Sequence, residues 1–374
     1  MSVTCESFPS VKNPGKYDDI SKKFTITGEG KLKAEIITYG ARIFRLYAPK
    51  ANGELVDVVL GPADLDGYLA DGANHGAVVG RSANRISGAS FTIDGTVYNV
   101  PANDGVNNLH TGDKAYQLKF WDGKILSHED SVAYVKDSGI KGLYNDDLKM
   151  PYDESVLLSC FSEDGENGFP GNLTTEVLYT FTNDGTFLMI YKGLSDKKTI
   201  FAPTNHAYFN IAGHDKGYVG DQILTMDCDK VTLKDEHNCP NGDYLDVEGT
   251  PFDFRKSAPV SKCLDLTHPQ IGPALGIDQN FCLKNNGRYA LVASLEDKTA
   301  GIGMETWTDL PGVQLYAGNH LNGSGFKDNA SYKQFDALCI EAQMYPNAVN
   351  IPEFESPLIN AGEAKFHACG YKFY

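Results

Sequence analysis

Five short stretches of the sequence place polar groups able to bind a ligand or move a proton inside runs that otherwise read as buried strands. Residues 203–213, PTNHAYFNIAG, set Asn205 and His206 beside Tyr208 and Phe209, and ALCIEAQMYPNAVN puts Glu341 directly after an apolar run. GRSANRISG carries Asn84 and Arg85, VNNLHTG carries His110, and GIDQNFCL puts Asp278 at the mouth of another apolar run. A desolvated polar group left unbonded costs about 1–3 kcal/mol, so such placements need a reason. Taken together they supply a carboxylate base, imidazole acids, and an arginine with an aspartate able to fix hydroxyl groups. That is the equipment of general acid–base catalysis.

Each residue also has a plainer reading. A lone strand histidine is usually a core residue satisfied by backbone. Arg85 reads equally well as half of a surface ion pair, His110 and Asp278 as turn residues, and Glu341 as a solvated acid, because Glu is seldom buried unpaired.

The elements that must position these groups are mostly strands. SFTIDGTVYNV reads as a hairpin turning at Asp94-Gly95, a dipeptide suited to left-handed torsions. TTEVLYTFTNDGTFLMIYKG repeats the device between Asn183 and Gly185, and AEIITYGARIFRLYAP adds two runs around Gly40. Helical periodicity is scarce, with short possibilities near residues 64–70 and 331–336. Many short strands with frequent turns predict an all-β sandwich or barrel. Residues 122–155 are polar and irregular and read as a loop excursion. No Pro/Ser-rich or single-charge block divides the 374 residues, so one domain spanning 1–374 is expected.

Composition removes several classes of function. The formal charge of −16 repels phosphate backbones and anionic membranes, which leaves a neutral ligand as the easier partner and predicts no nucleic-acid binding. No apolar run approaches the roughly 18 residues of a spanning helix. The start, MSVTCESFPSVKNPGKYDD, has no basic segment followed by an apolar stretch, which predicts no signal peptide and residence in the cytoplasm. The eight cysteines form no C-x-x-C and read as reduced thiols, and the nine histidines show no H-x-H or H-E-x-x-H spacing. Neither a metal nor a cofactor is expected.

With these residues in view, the sequence resembles the aldose 1-epimerase (galactose mutarotase) family from about Phe24 to the C-terminus. ITYGARIFRLYAP, VDVVLGPADLDGYL, VGRSANRISGASFTIDGTVYNV, GFPGNLTTEVLYTF, TNHAYFNIAG, GVQLYAGNHLNG and EAQMYPNAVNIPEF occur in the family's order. The resemblance implies a large antiparallel β-sandwich with few short helices and an open cleft for a monosaccharide. It implies that Glu341 is the general base and His206 the general acid. His110, Arg85 and Asp278 match residues that hold the sugar, with Asn84 and Gln314 as further members of that shell. In this frame Asn205 orients the loop, while Tyr208 and Phe209 are packing residues.

The implied activity interconverts α and β anomers of a free hexose such as galactose or glucose. One group takes the proton of the C1 hydroxyl, another protonates the ring oxygen, and the opened aldehyde recloses after rotation about C1–C2. Histidine suits the acid role, and a nearby carboxylate is expected to favour its protonated form. Partial burial would raise Glu341 and make it a better base. Two departures stand out: His110-Thr111-Gly112 where the family commonly has His-Gly-Gly, and AYQLKFW, ending in Trp121, in place of the usual Gly-Phe-Asp-Lys block. Both are expected on the cleft rim. The alternatives are a hexose-6-phosphate epimerase, a glycosidase using Asp278 and Glu341, or a non-catalytic sugar-binding module. Either a monomer or a homodimer is compatible with the sequence.

Overall fold

In the strand Phe187–Ser195, Phe187, Met189 and Tyr191 enter the main buried cluster while Leu188 and Ile190 enter a second one on the opposite face. Successive strand side chains point to opposite sides, so the unbroken apolar run FLMIY marks a strand covered on both faces. The computed structural model describes residues 3–374. This strand is central in a nine-stranded antiparallel sheet, flanked by Leu173–Phe181 and Ala364–Phe373. Its inner face packs on two five-stranded antiparallel sheets, one built from the N-terminal strands through Leu55–Asp57 and one from strands between Cys228 and Gln343. The Tyr179 hydroxyl donates across the interior to the Ala41 carbonyl, and Tyr371 donates to that of Ile340. The architecture is a large antiparallel β-sandwich with two α-helices among the described residues, as expected.

The hairpins fall where the turn residues place them: Ser90–Ile93 pairs with Thr96–Asn99 through Asp94-Gly95, and Leu173–Phe181 with Phe187–Ser195. The helix Leu65–Leu69 matches the 64–70 expectation, its first turn capped by the Asp64 carboxylate, which accepts from the Gly67 amide. Three expectations are corrected. Residues 331–336 contain the strand Ser331–Lys333, paired with Asn322–Ser324, rather than a helix.

Residues 122–155 are not a structureless excursion. Asp122–Leu126 is the edge strand of the nine-stranded sheet, and His128–Asp137 is a ten-residue helix. Ser127 caps that helix, its hydroxyl accepting from the Asp130 amide. Val135 is buried with Leu157, Leu178, Leu188 and Ile190, so the helix covers the outer face of the sheet.

Within PTNHAYFNIAG only Thr204–Asn205 is a strand, paired with Val78–Val79. The rest follows an irregular path pinned by reciprocal backbone bonds between Phe209 and Leu338.

Candidate active site

Three neighbouring strands build the floor. Asp278–Leu283, Gly312–Tyr316 and Cys339–Gln343 pair so that Asn280 lies opposite Gln314 and Gln314 opposite Glu341, while Asp278, Tyr316 and Cys339 form the parallel row. Period two then puts all six on one face and sends Phe281, Val313, Leu315, Ile340 and Ala342 into the core. A one-residue slip would bury Glu341 in apolar packing, so the core fixes the register of the site. Gln314 donates its side-chain amide to the Asp278 carboxylate, the diagonal neighbour.

The walls come from loops. Arg85 lies opposite Leu109 in a two-residue ladder, and immediately beyond it Asn84 and His110 lock together. The His110 amide donates to the Asn84 carbonyl at 2.9 Å, and the Asn84 amide donates to His110 Nδ1 at 3.1 Å. Asn84 (φ 55°), His110 (φ 51°) and Thr111 (φ 74°) all occupy the left-handed region. Backbone of this kind costs about 1–3 kcal/mol per residue and persists where surrounding contacts over-determine it. Arg85 donates through Nε to Asp104 at 2.7 Å and holds Nη1 3.6 Å from the Asp278 carboxylate.

His206 follows the Thr204–Asn205 strand and is clamped by backbone. Its amide donates to Ala77 and its carbonyl accepts from Gly76, while the Asn205 side chain donates to the Gly76 carbonyl at 2.8 Å. His206 Nε2 stands 3.8 Å from Glu341 Oε1, and Nδ1 stands 3.6 Å from the Cys339 sulfur. Its ring stacks on Tyr208 with centroids 5.0 Å apart and meets the edge of His110 at 5.6 Å.

Asn84, Arg85, His110, His206, Asp278, Gln314 and Glu341 thus line one cleft of about 350 Å³. Tyr208, expected only to pack, also lines it, as does Tyr316. Phe209 is a fully buried core residue. Tyr316 and Cys339 were within reach of sequence reasoning, since each stands two positions from a selected residue on an alternating strand. The rim expectation for the two departures is corrected: Thr111 turns inward, accepting from the Ser82 amide and donating to the Ser82 carbonyl, and Trp121 is core. Neither lines the cleft.

Burial governs the protonation of the site. It pushes Glu341 well above the usual carboxylate range, and the neighbouring Asp278 charge acts in the same direction. Asp278 is also buried, yet Lys234, Arg85, the Gln314 bond and His110 outweigh desolvation and hold it below its ordinary value. The Lys234 ammonium reaches this corner by donating to the Asp278 carbonyl. Burial drives His206 down to about 4: the Asp71 and Asp278 carboxylates favour its protonated form, the expected direction, but desolvation of the imidazolium outweighs them. His110 is pushed well below 6.5 by burial, with His206 and Arg85 adding to the effect.

The donor atoms of His206, Cys339 and Glu341 lie within 4.8 Å of one another. The thiol faces Nδ1 and the carboxylate faces Nε2, an arrangement suited to hydrogen bonds along the ring rather than to convergence on one ion.

The sequence matches the aldose 1-epimerase family over residues 22–372. It is 35% identical to the galactose mutarotase of Bos taurus over 353 residues, 94% of each chain. Identity is 34% to the galactose mutarotase of Homo sapiens over 91% of each chain, and 28% to the aldose 1-epimerase of Escherichia coli (strain K12) over 93% of this chain and 94% of that one. Among solved structures, an aldose epimerase homologue from C. elegans superposes with TM-score 0.80 at 25% identity, covering 95% of this chain and 99% of the other. A galactose 1-epimerase from Lactobacillus acidophilus gives TM-score 0.79 at 24% identity over 100% and 99%, a likeness of fold alone. Since the match spans residues 22–372, the range that holds every residue lining the cleft, the chain belongs to the aldose 1-epimerase family.

Proposed function

We propose that Glu341 and His206 are the proton-transfer pair of this chain's aldose 1-epimerase reaction, the interconversion of α and β anomers, and that Arg85, His110 and Asp278 hold the sugar. The observation that carries this reading is the approach of His206 Nε2 to Glu341 Oε1, 3.8 Å apart in one cleft.

Ring opening proceeds after the pair's one proton passes from Glu341 to His206 Nε2 across the 3.8 Å between them: Glu341 carboxylate then takes the C1 hydroxyl proton while His206 imidazolium gives its Nε2 proton to the ring oxygen, and the C1–O5 bond breaks. The pair begins with one proton and ends with one. Opening converts a carboxylate and an imidazolium into a carboxylic acid and a neutral ring, so it discharges an ion pair in a desolvated space, the direction burial favours. Rotation about C1–C2 exposes the other face of the aldehyde, and reclosure returns both protons. Asp278, already holding Gln314 and Arg85, keeps lone pairs for two sugar hydroxyls. His110, whose Nδ1 is occupied by a backbone donor, offers an Nε2–H. These fixed partners restrict the sugar to one reactive pose.

The substrate of this reading is an uncharged monosaccharide. Among the described residues lining the cleft, Arg85 is the sole Lys or Arg, and two aspartates already engage it. A cytoplasmic location is supported by eight unpaired thiols. No helix among the described residues is long and apolar enough to cross a membrane.

Polarimetry on freshly dissolved α-D-galactose and α-D-glucose tests the assignment. Glu341→Gln and His206→Asn should each lower kcat by about 10²–10⁴-fold, the usual worth of positioned acid–base groups. Asp278→Asn should mainly raise KM. Near-normal turnover in both of the first two variants removes the proposed pair.

A further inference from the structure

Cys339 and Glu341 alternate on one strand, so both side chains leave the same face, about 6.6 Å apart at the backbone, Glu341 lining the cleft and Cys339 buried beside it. The His206 ring lies along that gap, with the thiol sulfur 3.6 Å from Nδ1 and the carboxylate 3.8 Å from Nε2. One strand therefore addresses both nitrogens of the same imidazole. We propose that Cys339 is a positioning residue for His206: its sulfur accepts the Nδ1–H, which confines the travelling proton to Nε2, where Glu341 and the sugar are. This deepens the acid–base assignment above and rests on it.

The hydrogen-bond inventory of the ring sets what Nδ1 requires. While the His206–Glu341 pair holds its one proton, that proton sits either on Nε2 or on the carboxylate facing Nε2. In both distributions Nδ1 carries a hydrogen and requires an acceptor. The fully buried Cys339 sulfur lies 3.6 Å from that nitrogen, and the backbone carbonyl of His206 itself is the other acceptor beside the ring. Sulfur is a weak acceptor. A carboxylate at Nδ1 would stabilise the imidazolium and blunt it as an acid, whereas a thiol orients the ring without holding its charge. Burial and the Glu341 charge keep Cys339 itself in the thiol form. When the pair loses its proton, the S–H can turn and donate to Nδ1. The other groups around the ring are Tyr208 and Tyr316, the His110 edge, and more distantly His75, Asp71 and Asp278.

Two readouts test this. In ¹⁵N-labelled wild-type protein at the pH of maximal turnover, long-range ¹H–¹⁵N correlation of the His206 ring, assigned by its loss in His206→Asn, should show Nδ1 protonated. An unprotonated Nδ1 there overturns the proposal without any dependence on a variant's folding. In turnover, Cys339→Ala should lower kcat by about tenfold with KM within about twofold, as expected for a group acting through the acid. Cys339→Ser, whose hydroxyl both accepts and donates, should recover most of the loss. Equal rates for Ala and Ser, or an unchanged kcat in Ala, overturn the role. Normal turnover in His206→Asn would instead topple the acid assignment, leaving the measured tautomer to stand or fall by itself.

Discussion

Of the three histidines that line the cleft, His110 and His206 have Nδ1 partners that set them to different work. At His110 that partner is a backbone amide, which can only donate, so Nδ1 is unprotonated and the ring presents a fixed Nε2–H. At His206 it is a thiol, which can accept or donate, and the opposite nitrogen faces a carboxylate. On the proposed assignment, His110 is a hydrogen-bond donor that stays neutral, and His206 shares one proton with Glu341. The pH profile should carry this signature. Turnover needs the pair to hold a single proton, so it falls when a second is added at low pH and when the first is lost at high pH. Burial places His206 at about 4 and raises Glu341 well above 4.5. The acid limb of kcat/KM is therefore expected near pH 4 and the basic limb well above the ordinary carboxylate range, both belonging to the pair rather than to either residue. Stopped-flow polarimetry from pH 3.5 to 9 reads this directly, and an acid limb near 6.5, the value of a free histidine, would show that desolvation does not govern the site.

At the scale of elements, the alternating strands were legible and the loops were not. CIEAQ, GVQLY and DQNFCL each show their polar face in sequence, because period two is local information. Which face becomes the cleft depends on partners tens of residues away, so the contact between Cys339 and His206, and the exposure of Tyr208 to the cleft, could not be read from the chain. The helix His128–Asp137 was missed for a related reason: its apolar contribution is small, centred on Val135, and most of its support comes from the outer sheet face. Its Ser127 cap and the Gly139 that follows (φ 62°) were signals in plain view. The His206 loop hangs on Gly76, which has φ 68° and donates to the His206 carbonyl; a β-carbon there would lie 2.3 Å from the Ile43 carbonyl oxygen. Gly76→Ala should cost about 1–3 kcal/mol in urea denaturation and lower kcat by displacing His206. A variant with full stability and full turnover would show that the Gly76 crossing does not position the ring.

At the scale of the whole molecule, the charge of −16 weighs against a phosphorylated sugar relative to a neutral one. The cleft offers one guanidinium, shared between Asp104 and Asp278, and Glu341 stands nearby. The Lys234 ammonium is spent on the Asp278 carbonyl. A hexose 6-phosphate would enter against the long-range field and find no unshared lysine or arginine among the described residues lining the cleft, whereas phosphate recognition relies on unshared, preferably bidentate donors. A neutral aldose feels neither term. The two substrates should therefore separate by their response to salt. Between 50 and 500 mM NaCl, where the screening length falls from about 14 Å to about 4 Å, kcat/KM for free galactose or glucose should stay within about twofold. Glucose 6-phosphate should be a poor substrate at low salt, and its kcat/KM should rise as added salt screens the repulsion. A phosphate sugar turned over better than the free hexose at low salt, and weakened by added salt, would reverse the sign of the electrostatic argument and place a cation in the cleft that Arg85 and Lys234 do not supply.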